Sequence, residues 1–506
     1  MKSRTLMCIT AMTLFAALAI PVGLRLAAQE EHRNKQQHRY KVIDTGTLGG
    51  PSSFLGFEGS RNINNHGVLA AGTDTATPAT PPFCLNDCFI GHATQWRDGV
   101  LTDLGTIPNG NGGTSWISDT GLIAGLSMNG LIDPVTGLAE LEAVLWKGGG
   151  PINLGTFGGT QSIAGSVNDY GQVVGCATNT VSDSSSICAG VPQATQSRAF
   201  LWQDGVMRDL GTLGGTDANA LIVNDRGQVT GWSFTNLAPS TNCFFPLTTD
   251  PFLWENGTMT DLGTLGGTCG FPNWLNNQGD VVGQSNLAGD SAFHPFLWRR
   301  GRIRDLGTLG GNFGSALSIS EAGDIVGWAT TPGDQAVHGF LWKRDRMSDL
   351  GVISGKLCSV AYAVNSKRQI VGSSDDDCAG ANAHAFFWED GSLLDLNTFV
   401  SPSSGVQLTF ALSINERGEI ASLGLLSNGD QHAFVLVPCG EGEEGCGEGA
   451  AGTPSTIPSS AAPVTQGPAT ATPANPALSG RGMLDRLRAR RFPWYRVPGP
   501  GTGPAN

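Results

Sequence analysis

Three short phrases recur in fixed order along this chain, each of them eight times. A self-similar period of about 20–50 residues marks stacked or ring-forming repeat architectures, so it narrows the available folds more than any other feature. The first phrase reads DLGTLGG at Asp209, Asp261 and Asp305, with variants starting at Asp44, Asp103, Asn153, Asp349 and Asp395. The second is Asn-x-x-Gly followed by a short apolar run, at Asn64, Asn168, Asn224, Asn276 and Asn415. Ser118 and Ser320 begin serine variants, and after Asn365 the glycine is replaced by Arg368. The third is an apolar run closing on Trp96, Trp146, Trp202, Trp254, Trp298, Trp342 and Trp388, with Val435 and Leu436 in the eighth place.

Each unit reads as four short strands. Strand a runs into the Asn-x-x-Gly turn, where Asn and Gly both tolerate positive φ, and strand b is the apolar run after it. Strand c closes on the tryptophan, and Asp-Gly or Asn-Gly, as at Asp204-Gly205 and Asn256-Gly257, turns it into strand d. The spacing between tryptophans varies from 44 to 56 residues, and the excess falls between strands b and c, in 72–92, 176–198 and 233–250. Insertions confined to one loop are what a repeat scaffold tolerates. The expected fold is an all-β propeller of about eight four-stranded blades, or seven if the weak Asp103–Trp146 unit is rudimentary. The chain opens with a lone strand d from Tyr40 and ends with a, b and c alone up to Val437. The N-terminal strand is therefore expected to complete the last blade. A β-helix solenoid is the rival, and it leaves these complementary half-units unexplained.

The first residues carry Lys2 and Arg4, an apolar run from Leu6 to Ile20, and a small pair at Ala27-Ala28. This is the layout of a secretory signal peptide over 1–28, too short in its apolar part to favour a membrane span. A linker (29–39) and the repeat domain (40–438) follow. Outside the leader the cysteines fall in local pairs: Cys84 with Cys88, Cys176 with Cys188, Cys243 with Cys269, Cys358 with Cys378, and Cys439 with Cys446. Such pairs predict disulfides, each stapling one loop or blade edge, and an extracellular, cell-surface or periplasmic location. Cys84 and Cys88 lack the second ligand pair that a zinc site needs. The formal net charge is −13. An acidic chain of this kind repels phosphates and is not expected to bind nucleic acid. Residues 439–480 are rich in Gly, Ala, Pro and Thr, a composition that cannot bury a core. The last segment, 481–506, interleaves Arg481, Arg486, Arg488, Arg490, Arg491 and Arg496 with Phe492, Trp494 and Tyr495, which suits weak contact with an anionic surface.

The phrases His384-Ala385-Phe386-Phe387-Trp388, His432-Ala433-Phe434, His338-Gly339-Phe340-Leu341-Trp342 and His294-Pro295-Phe296-Leu297-Trp298 resemble the bacterial HAF family of extracellular repeat proteins. The resemblance covers roughly 40–437. It implies export and a repeat fold and carries no established activity. Arg198 and Asp250 stand where the motif has histidine, and AELEAVLW at 139–146 lacks both the His and the Phe.

The recurring residues read first as scaffold. The tryptophans are expected to pack between blades, since each buries a large area and can give its N–H to a nearby carbonyl; as sugar platforms they would have to be exposed. His92, His294, His338, His384 and His432 are expected to close turns by hydrogen bonds. The DLG aspartates are expected to cap the Gly-Thr turn that follows each. Neither set converges on one point, as a metal or a catalytic pair requires. Asp375-Asp376-Asp377 is the strongest isolated acidic cluster and reads as a solvated loop. No Gly-x-Ser-x-Gly, His-Glu-x-x-His or Walker loop occurs, so no catalytic, cofactor or metal residue is assigned. The expectation is a non-catalytic binding or surface-interaction module whose partner is a glycan, an envelope component or a protein. The alternatives are a propeller lyase or glycosidase, and a structural matrix protein.

Overall fold

A computed structural model describes residues 39–439, apart from 57–58, 85–87, 109, 149, 189–190, 236–242 and 244–246. The leader, Cys446 and the C-terminal segment lie outside the described residues.

The described chain is all-β, with three short 3-10 turns and no other helix. Its strands form four-stranded antiparallel sheets, ordered a-b-c-d, over 49–105, 112–153, 162–209, 214–261, 266–305, 314–351 and 358–395. We number these repeats 1 to 7. Repeat 8 supplies a, b and c from 407–438, and its fourth strand is Tyr40–Asp44, paired antiparallel from Tyr40 opposite Pro438 to Asp44 opposite Phe434. A single parallel bridge, Thr249 opposite Cys269, joins repeats 4 and 5.

Burial follows this order. Strand a is the buried edge, as in Gly314–Ile319, where every residue is buried, and strand d is the exposed edge, as in Arg302–Asp305. Each sheet is apolar on both faces and shares a layer with its neighbours. One such layer joins Val174, Leu201 and Leu210 of repeat 3 to Ala220, Val229 and Trp254 of repeat 4. Another joins Val282, Leu297 and Leu306 of repeat 5 to Ile319, Phe340 and Trp342 of repeat 6.

The Asn-x-x-Gly turn does more than reverse the chain. The positive φ falls on its fourth residue, as at Gly67, Gly171, Gly227 and Arg368, and not on the asparagine. The asparagine instead caps the turn and reaches the next repeat. Asn224 Oδ1 accepts from the N–H groups of Arg226 and Gln228, both at 3.0 Å, while Nδ2 donates to Asn276 O at 3.0 Å. The same donation links Asn64 to Ser118, Asn168 to Asn224, Asn276 to Ser320, Asn365 to Asn415, and Asn415 back to Asn64. The relay thus bonds the last sheet to the first. Ala433 N–H adds a 2.8 Å bond to Ser53 Oγ across that same joint.

Strand a also carries a recurrent irregularity. Its register against strand b shifts between Thr114 and Trp116, Ala164 and Ser166, Ala220 and Ile222, Pro272 and Trp274, Ala316 and Ser318, Ala361 and Ala363, and Ala411 and Ser413. A bulge of this kind adds local twist and re-aims the extra side chain.

Replacing Asn224 by Ala takes the side-chain acceptor from two turn N–H groups and removes the bond to Asn276 O, which keeps only Gly279 N–H. We expect a loss of about 2–3 kcal/mol in urea unfolding, and roughly half that for Asn224→Ser, the residue that Ser118 and Ser320 already use.

Candidate functional site

The two recurring polar sets of the sequence turn out to be one set of pairs. The histidine sits near the start of strand c and the aspartate at the end of strand d on the adjacent strand, eleven residues later except in repeat 8, where His432 meets Asp44 of the N-terminal strand. Nδ1 lies 2.7–3.1 Å from a carboxylate oxygen in His92–Asp103, His294–Asp305, His338–Asp349, His384–Asp395 and His432–Asp44. Asp44, Asp103, Asp209, Asp261, Asp305, Asp349 and Asp395 also accept an N–H bond from the residue two places on, as Asn153 does from Gly155 N–H in repeat 2. In repeat 3 Arg198 Nε replaces the imidazole, 2.9 Å from Asp209. At Asp44, Asp305 and Asp395 burial opposes ionisation. The histidine bond and the backbone N–H outweigh it and hold each carboxyl below its usual value. His432 is raised, first by its bond to Asp44.

The tryptophans sit in the inter-sheet layers. Trp96, Trp146, Trp202, Trp254 and Trp342 are buried, while Trp298 and Trp388 are half-buried. Trp146 Nε1 donates to Gly105 O of the preceding repeat at 3.0 Å. Five of the seven thus present no platform to a sugar.

Toward the buried edges the polar groups give way to aromatic packing. Trp116 of repeat 2 and Trp274 of repeat 5 lie 5.2 Å apart between ring centroids, although two repeats separate them in sequence. Gly59 of repeat 1 faces the carbonyls of Asn273 and Leu317, in repeats 5 and 6. Strands a from repeats 2 and 5 therefore meet through Trp116 and Trp274.

The end of the sheets where strand b passes to strand c is uneven. Strand b is ten residues long in repeats 1, 2 and 3 (Leu69–Pro78, Ile123–Ile132, Val173–Ser182) and six or seven in the others. Repeat 3 adds a small ladder of Ile187–Cys188 with Val191–Pro192. Repeat 2 carries an extension at 129–140 that length comparison missed, because its residues continue the two strands. The tips are apolar and open: Leu131 is 60% exposed, Ile132 47%, Val135 77% and Val181 51%.

One position in strand a, seven residues before the turn residue, anchors each insertion to the following repeat. Asn111 accepts from Gly91 N–H and donates to Phe83 O and Phe89 O of repeat 1. Gln161 accepts from Leu141 N–H and donates to Ala139 O of repeat 2. Asp217 accepts from Ser197 N–H at 2.6 Å and from the Ser186 hydroxyl of repeat 3. Burial pushes Asp217 up despite these bonds. Sequence reasoning passed over all three residues. The available signal was a polar residue at a fixed offset, present only after a long insertion. In repeat 5 the same position is Cys269, bonded to Cys243 of repeat 4. This corrects the expectation that every bridge stays within one blade. The position is free to serve the neighbour because strand a packs against the preceding sheet. Cys84–Cys88, Cys176–Cys188 and Cys358–Cys378 do stay within theirs. Cys439 is disulfide-bonded, and its expected partner Cys446 lies outside the described residues.

The Asp375-Asp376-Asp377 loop spends its carboxylates internally. Asp377 accepts from the N–H groups of Ala379 and Ala381, and Asp376 from Asn382 and Lys356. Among the described residues no group of three or more His, Cys, Asp or Glu is arranged to hold a metal ion. No helix there is long and apolar enough to cross a membrane.

No family model matches the sequence, and no curated protein does. Among solved structures the chain is similar to the β-propeller domain of the trilobed protease from Pyrococcus furiosus, at 9% identity and a TM-score of 0.40, over 72% of this chain and 100% of that one. It is similar to Trypanosoma rangeli sialidase at 9% identity and a TM-score of 0.32, over 80% of this chain and 86% of the sialidase. An ulvan lyase of polysaccharide lyase family PL25 gives 10% and 0.36, over 79% of this chain and 94% of the lyase. Identities and scores this low transfer no activity to this chain.

Two outcomes follow from these pairs and bridges. His432 contributes fully below its ordinary value and loses its contribution as pH rises through its raised one. Asp44 contributes above its ordinary value and loses it as pH falls through its lowered one. Thermal unfolding followed from pH 3 to 9 should therefore show the pair at its strongest between about 4 and 6.5. His432→Ala should remove that maximum at a cost of up to about 1 kcal/mol, since Asp44 is partly exposed. A non-reducing digest should join the Cys243 peptide to the Cys269 peptide, and Cys243→Ser should cost about 2–4 kcal/mol.

Proposed function

We propose that the eight sheets are the blades of one closed β-propeller, and that this propeller is an exported, non-catalytic binding module. Two features support closure: the relay that returns from Asn415 to Asn64, and the strand Tyr40–Asp44 in the last sheet. The recurring HAF-type phrases and the pairing of Cys84, Cys176, Cys243 and Cys358 with nearby partners support an extracellular HAF-family protein.

The observation that carries the binding reading is the raised, apolar rim on repeats 2 and 3. Leu131, Ile132, Val135 and Val181 are exposed on extensions that the rest of the fold takes trouble to hold still. Asp133, at the base of the repeat 2 extension, caps Val135 and Thr136 and accepts from Thr160 of repeat 3. Aliphatic residues on a fixed support suit a partner with an apolar surface, which makes a protein the first choice over a glycan. A catalytic reading would look for an acid and a base in one pocket, and where strands a of repeats 2 and 5 meet the contact is between Trp116 and Trp274.

The test is a binding screen of the full-length protein, disulfides intact, against a glycan array and against purified cell-envelope proteins. Leu131→Asp with Val135→Asp should weaken whatever binds by at least about tenfold while leaving the unfolding midpoint in place. Unchanged affinity in that variant would move the binding surface off this rim. Turnover of a polysaccharide in the same screen would establish the lyase or glycosidase alternative.

A further inference from the structure

Eight equivalent stations join strands c and d, and six of them pair a base with an acid. Five pair His with Asp and one pairs Arg198 with Asp209. In repeat 2 both partners change together: the acid position is the neutral Asn153, and the base position is Glu142. Repeat 4 alone puts an acid in both places. Its register is the ordinary one, with Phe252 opposite Asp261 as Phe296 is opposite Asp305. Asp250 therefore faces Asp261 as His294 faces Asp305.

Among the described residues no cation is paired with Asp250. Across strand b, Asp250 lies opposite Ser233. The insertion between Thr235 and Thr249 contains no Asp, Glu, His, Lys or Arg. Repeat 5 begins beside it with Thr268 and the disulfide-bonded Cys269, and Thr268 turns its N–H and hydroxyl to a further acid, Asp290. At two other stations the base also ties down the next repeat: Arg198 Nη1 donates to Thr216 O at 3.2 Å, and His432 bonds the backbone of Pro51. An ionised Asp250 has no proton to donate to either neighbour.

We propose that this station is a pH-operated latch on the link between repeats 4 and 5: Asp250 and Asp261 hold strand d by sharing one proton and release it when both ionise. Two carboxylates facing each other on adjacent strands repel strongly when both carry charge, and one shared proton turns that repulsion into a hydrogen bond. Burial, followed by the charge and hydrogen bond of Asp261, pushes Asp250 up to about 7, so the change falls in an accessible range. Asp250 is raised in the folded state. The latch is therefore firm at low pH, weakens as pH rises from about 4 toward 7, and stays weak above that. The link does not part when the latch opens, because Cys243–Cys269 and the Thr249–Cys269 bridge span the same joint. That joint alone carries a covalent tie between repeats among the described residues.

Hydrogen exchange of the full-length protein between pH 5 and 9, corrected for intrinsic rates, tests this. Protection of 257–268 should fall at least about tenfold across that range, while the equivalent turn of repeat 5, 301–312, changes far less. Asp250→Asn should abolish the fall, and Asp250→His should make repeat 4 behave like repeat 5. Equal behaviour of the two turns in the wild-type protein would overturn the proposal. So would a fall that persists in either variant. The wild-type comparison decides the matter even if neither variant folds.

Discussion

A four-stranded sheet that is apolar on both faces cannot exist alone in water. Every repeat here depends on its two neighbours, and the first and last must depend on each other. The layer shared by Val174, Leu201 and Trp254 is one instance of this constraint. The inter-repeat polar contacts make that mutual dependence specific. Dispersion and hydrophobic burial hold sheets together without much regard to register. The Asn relay and the strand a anchors fix how far one sheet slides against the next. Each has a donor or acceptor that would otherwise be buried without a partner.

This arrangement explains why the insertions cluster where they do. Repeats 1 to 4 carry long or inserted b–c segments, and each is gripped by the next repeat through Asn111, Gln161, Asp217 or Cys269. Where no insertion needs holding, the same position becomes Phe313 or Leu408 and joins the core. The scaffold is thus modular in a directional sense. A change in one insertion asks for a change at one place in the following repeat.

Much of the fold could be read from the chain because its periodic phrases lie at strand ends, where turn chemistry is local. Gly67, Asp209 and Trp254 announce their roles within a few residues. The unequal ends also made the pairing of Tyr40–Asp44 with Gln431–Pro438 legible. What was not legible depends on neighbours in space. The His–Asp pairs were read as two separate sets because eleven residues and a turn separate the partners. Asn64 was read for its backbone when its amide serves the next repeat. Cys243 was paired with Cys269 as the structure has it, but proximity in sequence could not show that this bridge crosses to the next repeat. Leu131 and Val135 carry no periodic signal, and only the fold shows that they are exposed. The residues that distinguish one repeat from another carry the candidate function, and periodicity says nothing about them.

The junction of the two chain ends has a mechanical side. Tyr40 pairs with Pro438, and Cys439 N–H bonds Arg39 O at 2.9 Å, so both ends leave the fold at the same point of one antiparallel ladder. Tension applied between the two ends would load that ladder one rung at a time, as a zipper is opened. Tension applied through one end alone would spare it. A protein built this way is sturdy when tethered by a single terminus and soft when stretched between two. That asymmetry favours use as a pendant on a surface over use as a link in a load-bearing chain.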